Sequence, residues 1–248
     1  MAGHSKWANI KHKKGKADAQ RGKIFTKIGR EIAIAVREGG PDPDTNGKLR
    51  DVIAKAKASN MPNDNINRSI KKAAGESESV HYEEILYEGY APGGVAIIAE
   101  VVTDNRNRTA SDVRHIFDKN GGSLGTTGSV GYMFDLKGLI LIEQAEGLNE
   151  DEVLIHALEA GAEDVEVTEE AFEVYTAPGD FSAVREGLEK EGYVFLSAER
   201  IRVPQTNVEV TDEETLQKVQ KLLEMLDDND DIINVYHNAD LPEEEEEE

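Results

Sequence analysis

The sequence predicts an α+β protein of several domains: a small helical domain, then two ferredoxin-like (βαββαβ) α/β domains, the last inserted into the middle one. Three observations predict it. Apolar residues recur at helical spacing through the first 75 positions. From about residue 83 they change to strand-like alternation and short apolar runs. The elements over 138–203 follow the order βαββαβ, complete in itself. A chain of 248 residues is long enough for one to three domains with real cores.

Residues 1–22 hold few apolar side chains and many lysines, too little buried surface to offset ordering entropy, so mobility is expected there. Ile24, Phe25, Ile28, Ile32, Ala35 and Val36 then repeat at helical spacing as far as Glu38, and Gly39-Gly40-Pro41 stops the helix. A second helix carries Leu49, Val52, Ile53 and Ala56, with Thr45 or Asn46 as N-cap. A third carries Ile66, Ile70, Ala73 and Ala74 and stops at Gly75. Glu76–Ser79 reads as a polar linker. Strands at 83–90 and 94–103 join through Ala91-Pro92-Gly93, a helix covers 107–120, and a glycine loop leads to a strand at 130–134.

The complete unit runs strand 138–143, helix 149–160, strands 163–168 and 171–176, helix 179–191 and strand 194–203. After Pro204 come strand 207–210, helix 212–226, strand 232–237 and six glutamates. The flanks complement each other: βαβ over 94–134 and βαβ over 207–237 together make a second βαββαβ. Simple succession would leave each flank with too few strands to cover its own edges. The expected domains are therefore 1–78, 79–136 with 205–240, and 137–204, followed by an acidic tail at 241–248.

Charge speaks about partners. The formal net charge is −22, yet residues 1–75 hold 17 Lys and Arg against 7 Asp and Glu, leaving 11 against 43 for the rest. An acidic body repels a polyanion while a basic head attracts one, so such a molecule approaches nucleic acid in one orientation. The candidate contacts are Lys6, Trp7, Lys11, His12, Lys13, Lys14, Lys16, Arg21, Lys23, Lys27 and Arg30, continued on the helical domain by Lys55, Lys57, Arg68, Lys71 and Lys72. Cations neutralise phosphates and release counterions, and an aromatic ring stacks on a base. For Trp7 a second role stays open, packing of the tail onto the helical domain. Arg106 and Arg108 open a helix, where cations oppose the macrodipole. Two roles are open for them: pairing with an acidic neighbour domain, or secondary phosphate contacts.

Other chemistries find little support. There are no cysteines, which excludes disulfides, thiolate metal sites and a Cys nucleophile. No apolar run is long enough to span a bilayer, and neither a secretory nor a mitochondrial leader pattern is present, so the expected location is the cytoplasm. Gly121-Gly122-Ser123-Leu124-Gly125 fits G-x-S-x-G, but a helix precedes it and a strand follows, the reverse of a nucleophile elbow. His4, His12, His81, His115, His156 and His237 lack ligand spacing and read as surface or cap residues. Asp227-Asp228-Asn229-Asp230-Asp231 suggests calcium, but an EF-hand frame begun at Asp227 would place Ile232 and Asn238 where glycine and glutamate are needed, so a solvated turn is expected. Glu83, Glu84 and Glu88 read as the wet face of a strand. No enzyme, cofactor or metal site is expected. A protein partner on the acidic α/β domains is open.

Met-Ala-Gly-His-Ser-Lys-Trp-Ala-Asn-Ile-Lys-His-Lys-Lys at the start, Arg21-Gly22-Lys23-Ile24-Phe25-Thr26-Lys27-Ile28, Tyr87–Gly94, Thr103–Thr109, Leu158–Asp164 and Val235–Asn238 together resemble the YebC/PmpR family of transcriptional regulators. The likeness covers essentially the whole chain; the glutamate run after Pro242 departs from it. The resemblance implies three domains, one helical and two α/β. It implies a DNA-binding transcriptional regulator or, as alternative, a translational activator acting on RNA or the ribosome, as a mitochondrial relative does. No clear helix-turn-helix is visible, so backbone or shape recognition is expected rather than base readout.

Overall fold

The computed structural model describes residues 18–75, 80–145 and 147–241. Lys6, Trp7, Lys11, His12, Lys13, Lys14 and Lys16, the linker Glu76–Ser79 and residues 242–248 lie outside the described residues. The described chain is a mixed α+β structure with seven α-helices and largely antiparallel sheets. It divides into two compact units. Among the described residues, one gathers 18–30, 80–135 and 203–241; the other gathers 31–75, 136–145 and 147–202.

Helix α1 (Asp18–Gly39) begins well before the apolar repeat at Ile24, so residues 18–22 are helical, not part of a mobile tail. Ala, Gln, Arg and Lys are good helix formers and no proline or β-branched residue interrupts them. Its first half belongs to the first unit and its second half to the other.

In the first unit, β1 (Glu83–Tyr90) and β2 (Ala96–Thr103) pair antiparallel from Glu83↔Thr103 to Tyr90↔Ala96. Helix α4 (Arg106–Lys119) leads to the two-residue β3 (Ser123–Leu124), and later α7 (Glu213–Asp228) leads to β9 (Ile232–His237). The sheet order is β3-β1-β2-β9. Ile97, Ala99 and Val101 of β2 alternate onto one face, where Val113, Ile116 and Phe117 of α4 and Val219, Leu222 and Leu226 of α7 pack in one core. Strand β2 is buried on both faces, which is why it reads as a nearly unbroken apolar run. Gly89 must be glycine: a Cβ there would lie 2.6 Å from the Ser123 carbonyl and 2.7 Å from the Phe117 ring.

This sheet differs from the second βαββαβ that the sequence suggests. Residues 131–133 form a short 3₁₀ turn, and the next strand, β4, starts at Phe134. The expected strand at 207–210 shrinks to β8 (Val208–Glu209), which pairs in parallel with β10 (Ala239–Asp240) in a separate two-stranded sheet. Its place in the main sheet is taken by β1 and the short β3.

In the second unit, β4 (Phe134–Glu143), α5 (Glu150–Ala160), β5 (Asp164–Val167), β6 (Ala171–Thr176), α6 (Phe181–Lys190) and β7 (Phe195–Pro204) follow one another. Their sheet has the order β5-β6-β4-β7, the order of a split βαβ unit. Ile140, Ile142, Phe172 and Val174 meet Val153 and Ala157 of α5 and Phe181, Val184 and Leu188 of α6. Gly161 closes α5 at φ 103°, a left-handed conformation in which a side chain is strained.

The same unit holds α2 (Gly47–Ala58) and α3 (Asn63–Ala74). Asn46, not Thr45, is the N-cap of α2: its Oδ1 accepts from Leu49 N at 3.0 Å. Its amide also donates to Ala35 O at 2.7 Å and Gly40 O at 2.8 Å, joining the end of α1 to the start of α2. Asp51 is buried, with Oδ2 accepting from Ser182 Oγ and Arg200 Nη1, both at 2.8 Å, and Oδ1 3.4 Å from Arg185 Nε.

His237 is half-buried with its Nδ1 out of solvent, not a surface or cap residue. Burial pushes its imidazole down to about 4, and Nδ1 has no hydrogen-bond partner among the described residues. The unfolded chain therefore takes up this proton first, near its ordinary value of about 6.5. The stability held by neutral His237 is complete above that pH and is lost as pH falls towards about 4, at about 1.4 kcal/mol per unit and about 3 kcal/mol at most. Urea midpoints measured from neutral to acid pH are expected to fall less steeply for His237→Gln than for the parent; parallel curves would contradict the assignment.

Candidate nucleic-acid interface

The cations must first be sorted by what already holds them. Asp227, Asp228, Asp230 and Asp231 crowd the turn between α7 and β9, and like charges at that density need partners. Helix α1 supplies them from a stripe at i, i+4 and i+7. Lys23 Nζ lies 2.9 Å from Asp228 Oδ1, Lys27 Nζ donates to Asp227 O at 2.7 Å, and Arg30 Nη1 donates to Asp230 O and Asp231 Oδ1, both at 2.6 Å. The Asp228 carboxylate raises the Lys23 ammonium above its ordinary value.

Asp231 is the hub. Its carboxylate is 3% exposed and also receives Arg108 Nη2 at 2.9 Å, Thr109 Oγ1 at 2.6 Å and Thr103 Oγ1 at 3.2 Å. Burial pushes its carboxyl up, but the bonds from Thr109, Arg108 and Arg30 outweigh that and hold it below the usual range. Arg108 in turn is raised, chiefly by Asp231. Arg108 therefore meets acidic groups of its own unit, Asp231 and, at 2.8 Å, Asp104 Oδ1, rather than those of a neighbouring domain. The aspartates bind the protein's own cations, which makes this turn more than a solvated loop.

Lys55 is likewise engaged, at 2.9 Å from Glu31 Oε1 and 3.7 Å from Glu199 Oε2. Lys48 pairs with Glu38 and Arg50 with Glu186. Arg21 is exposed on the first turns of α1.

Of the predicted contacts on the helical domain, four remain outward. Lys57, Arg68, Lys71 and Lys72 are exposed, and none has a hydrogen bond or ion pair with another described residue. Arg68, Lys71 and Lys72 sit at i, i+3 and i+4 on α3, and Lys57 lies in the last turn of α2. Cations near helix C-termini are favoured by the macrodipole, so the placement is consistent with local stability as well as with binding. Arg106, on the first turn of α4, is exposed and also without such a partner.

Glu88 was legible only as a wet-face residue, yet it is 5% exposed. Its carboxylate accepts from the backbone N–H groups of Gly128, Val130 and Gly131 at 2.7–2.8 Å and so braces the glycine loop from inside. Ser123 lies in β3, behind α4, with no strand-to-helix turn to present its hydroxyl. Among the described residues, no group of three or more His, Asp or Glu is placed to hold a metal ion, and no helix is long and apolar enough to cross a membrane.

Residues 5–76 match the family model described as the TACO1/YebC protein N-terminal domain, and residues 82–239 match that of the TACO1/YebC second and third domain. The chain belongs to the TACO1/YebC family. A probable transcriptional regulatory protein of Acetivibrio thermocellus is 66% identical over 238 residues, covering 96% of this chain and 98% of its own. One from Clostridium novyi is 62% identical over 244 residues, covering 98% and 99%. A crystal structure of a conserved hypothetical protein from Aquifex aeolicus, 50% identical, superposes with a TM-score of 0.83 over 94% of this chain and 96% of that one. The likeness to that structure extends over sequence and backbone alike.

Proposed function

We propose that this TACO1/YebC member is a non-catalytic, cytoplasmic regulator of transcription that binds DNA through its basic N-terminal segment and the outward face of α2 and α3. The observation that carries the reading is the sorting of the cations. In a chain of net charge −22, Lys57, Arg68, Lys71 and Lys72 have no acidic partner among the described residues. They share α2 and α3, and the dense lysines from Lys6 to Lys16 belong to the same N-terminal family region. Such a cluster attracts phosphates and releases their counterions, whereas the acidic remainder repels them. The names carried by the relatives agree with it. Lys23, Lys27, Arg30, Lys55 and Arg108 serve internal contacts in this reading, and Arg106 is the secondary phosphate contact. The separate family model for 5–76 supports a three-domain organisation with 1–78 as the binding domain.

The test is a competition between fragmented genomic DNA and ribosomes for the full chain at one fixed, near-physiological salt concentration. Retention on DNA is expected. Preferential retention on ribosomes would replace this function with that of an RNA-binding translation factor, because both rest on the same lysines.

A further inference from the structure

Helices α2 and α3 are joined by a tight turn in which Asn60 takes φ 57°. Between them runs a groove of about 410 Å³, within the size range of small-ligand sites. Ile53, Ile66 and Ile70 line it, with Pro41 and Pro43. Lys57, Lys71, Asn63 and Asn67 line it too. The pattern follows from helix geometry: Ile53 and Lys57 are i, i+4 on α2, while Asn63, Asn67 and Lys71 form one i, i+4, i+8 row on α3 beside Ile66 and Ile70. The side chains of Asn63, Asn67, Lys57 and Lys71 have no hydrogen bond or ion pair with another described residue.

Three chemistries therefore converge: an apolar surface, two amides offering both donors and acceptors, and two ammonium groups. An acidic peptide would use the lysines and leave Ile53 and Ile70, both half-buried, facing water. An apolar peptide would leave the lysines and amides without a role. A base within a regular duplex has its faces stacked and its pairing edge occupied. An unpaired nucleotide has a free apolar face, a free hydrogen-bonding edge and flanking phosphates. We propose that this groove holds one unpaired nucleotide of a DNA or RNA strand. Its base lies against Ile53 and Ile70, its edge meets Asn63 and Asn67, and Lys57 and Lys71 take the neighbouring phosphates. The inference rests on the nucleic-acid reading and adds to it the state of the strand that is recognised.

Anisotropy titrations of the full chain test it with three probes of equal phosphate count at one salt concentration: a fully paired DNA duplex, the same duplex with an unpaired central bubble, and an RNA hairpin with an open loop. The bubble, the hairpin or both are expected to bind about tenfold more tightly than the paired duplex, the scale of one good base contact; which of them does so identifies the strand. The Asn63→Ala/Asn67→Ala variant changes exposed side chains only. It is expected to lose that preference while keeping its thermal melt and its affinity for the paired duplex. Ile53→Glu, which places an anion in the groove, is expected to lose the preference too. Equal binding of all three probes by the parent would overturn the proposal, as would a preference that survives in both variants. Displacement of the hairpin by a glutamate hexapeptide from the parent, but not from Ile53→Glu, would assign the groove to acidic peptides instead. Failure to bind any probe would remove the regulator function as well, whereas binding without preference removes the groove alone.

Discussion

Asp231→Ala is expected to lower the stability of the protein by about 3–5 kcal/mol, the cost of breaking a buried charge pair from one side. The substitution leaves Arg30, whose side chain is 16% exposed, without its carboxylate and takes an acceptor from the hydroxyls of Thr103 and Thr109. It also loosens the seat of α1 on the 227–231 turn, since Arg30 is one of three cations that hold it there. The Asp230 carbonyl bond to Arg30 and the backbone bond from Val102 N to Asp231 O persist, so the protein is weakened without losing its topology. Arg108→Ala makes the contrast. That side chain is 47% exposed, so solvent screens the pair, and a loss within about 1 kcal/mol is expected. Urea midpoints of the two variants at neutral pH give the comparison. Equal losses would mean that Asp231 is not the hub of this network.

The second large effect is on binding. Replacing Lys57, Arg68, Lys71 and Lys72 together with Ala removes four exposed cations that make no side-chain hydrogen bond or ion pair among the described residues, so the fold should melt as before. Each lost phosphate contact reduces the magnitude of the salt slope by about 0.9, hence by up to about 3.6 for all four. Those contacts correspond to roughly a 10²-fold change in affinity between about 50 and 200 mM salt. The loss at low salt should be large and nearly independent of DNA sequence, because phosphates position the protein without specifying bases. A matched set at Lys23, Lys27 and Arg30 would be a poor probe of binding, because those side chains hold α1 to the acidic turn.

The local grammar of the chain made most helices readable. Helical spacing placed 149–160, 179–191 and 107–120 close to the observed Glu150–Ala160, Phe181–Lys190 and Arg106–Lys119. Asn46 was one of two named caps. The misreadings share one cause: the deciding partner lies far along the chain. Lys23 meets Asp228 across 205 residues, and Glu88 meets Gly128 across 40. Nothing within a short window marks either as engaged, so a cation looked free and a carboxylate looked wet. The signal for the first pairing was present as two opposite charge clusters, at 21–30 and 227–231, but clusters do not declare their pairing. His237 was misread for a related reason, since the burial of its Nδ1 depends on β9 lying against β2. Strand β8 was overread because β-propensity at 207–210 does not reveal which edge is open to receive it.

The central claim is that the lysines of the N-terminal segment, together with the outward cations on α2 and α3, grip the phosphates of a nucleic acid. The most direct measurement is the dependence of log affinity on log salt for one duplex, taken for the full chain, for the chain lacking residues 2–17, and for the Lys57/Arg68/Lys71/Lys72→Ala variant. A steep slope for the full chain, made shallower by each change with the thermal melt intact, is the predicted result. Slopes that coincide for all three proteins would contradict the account.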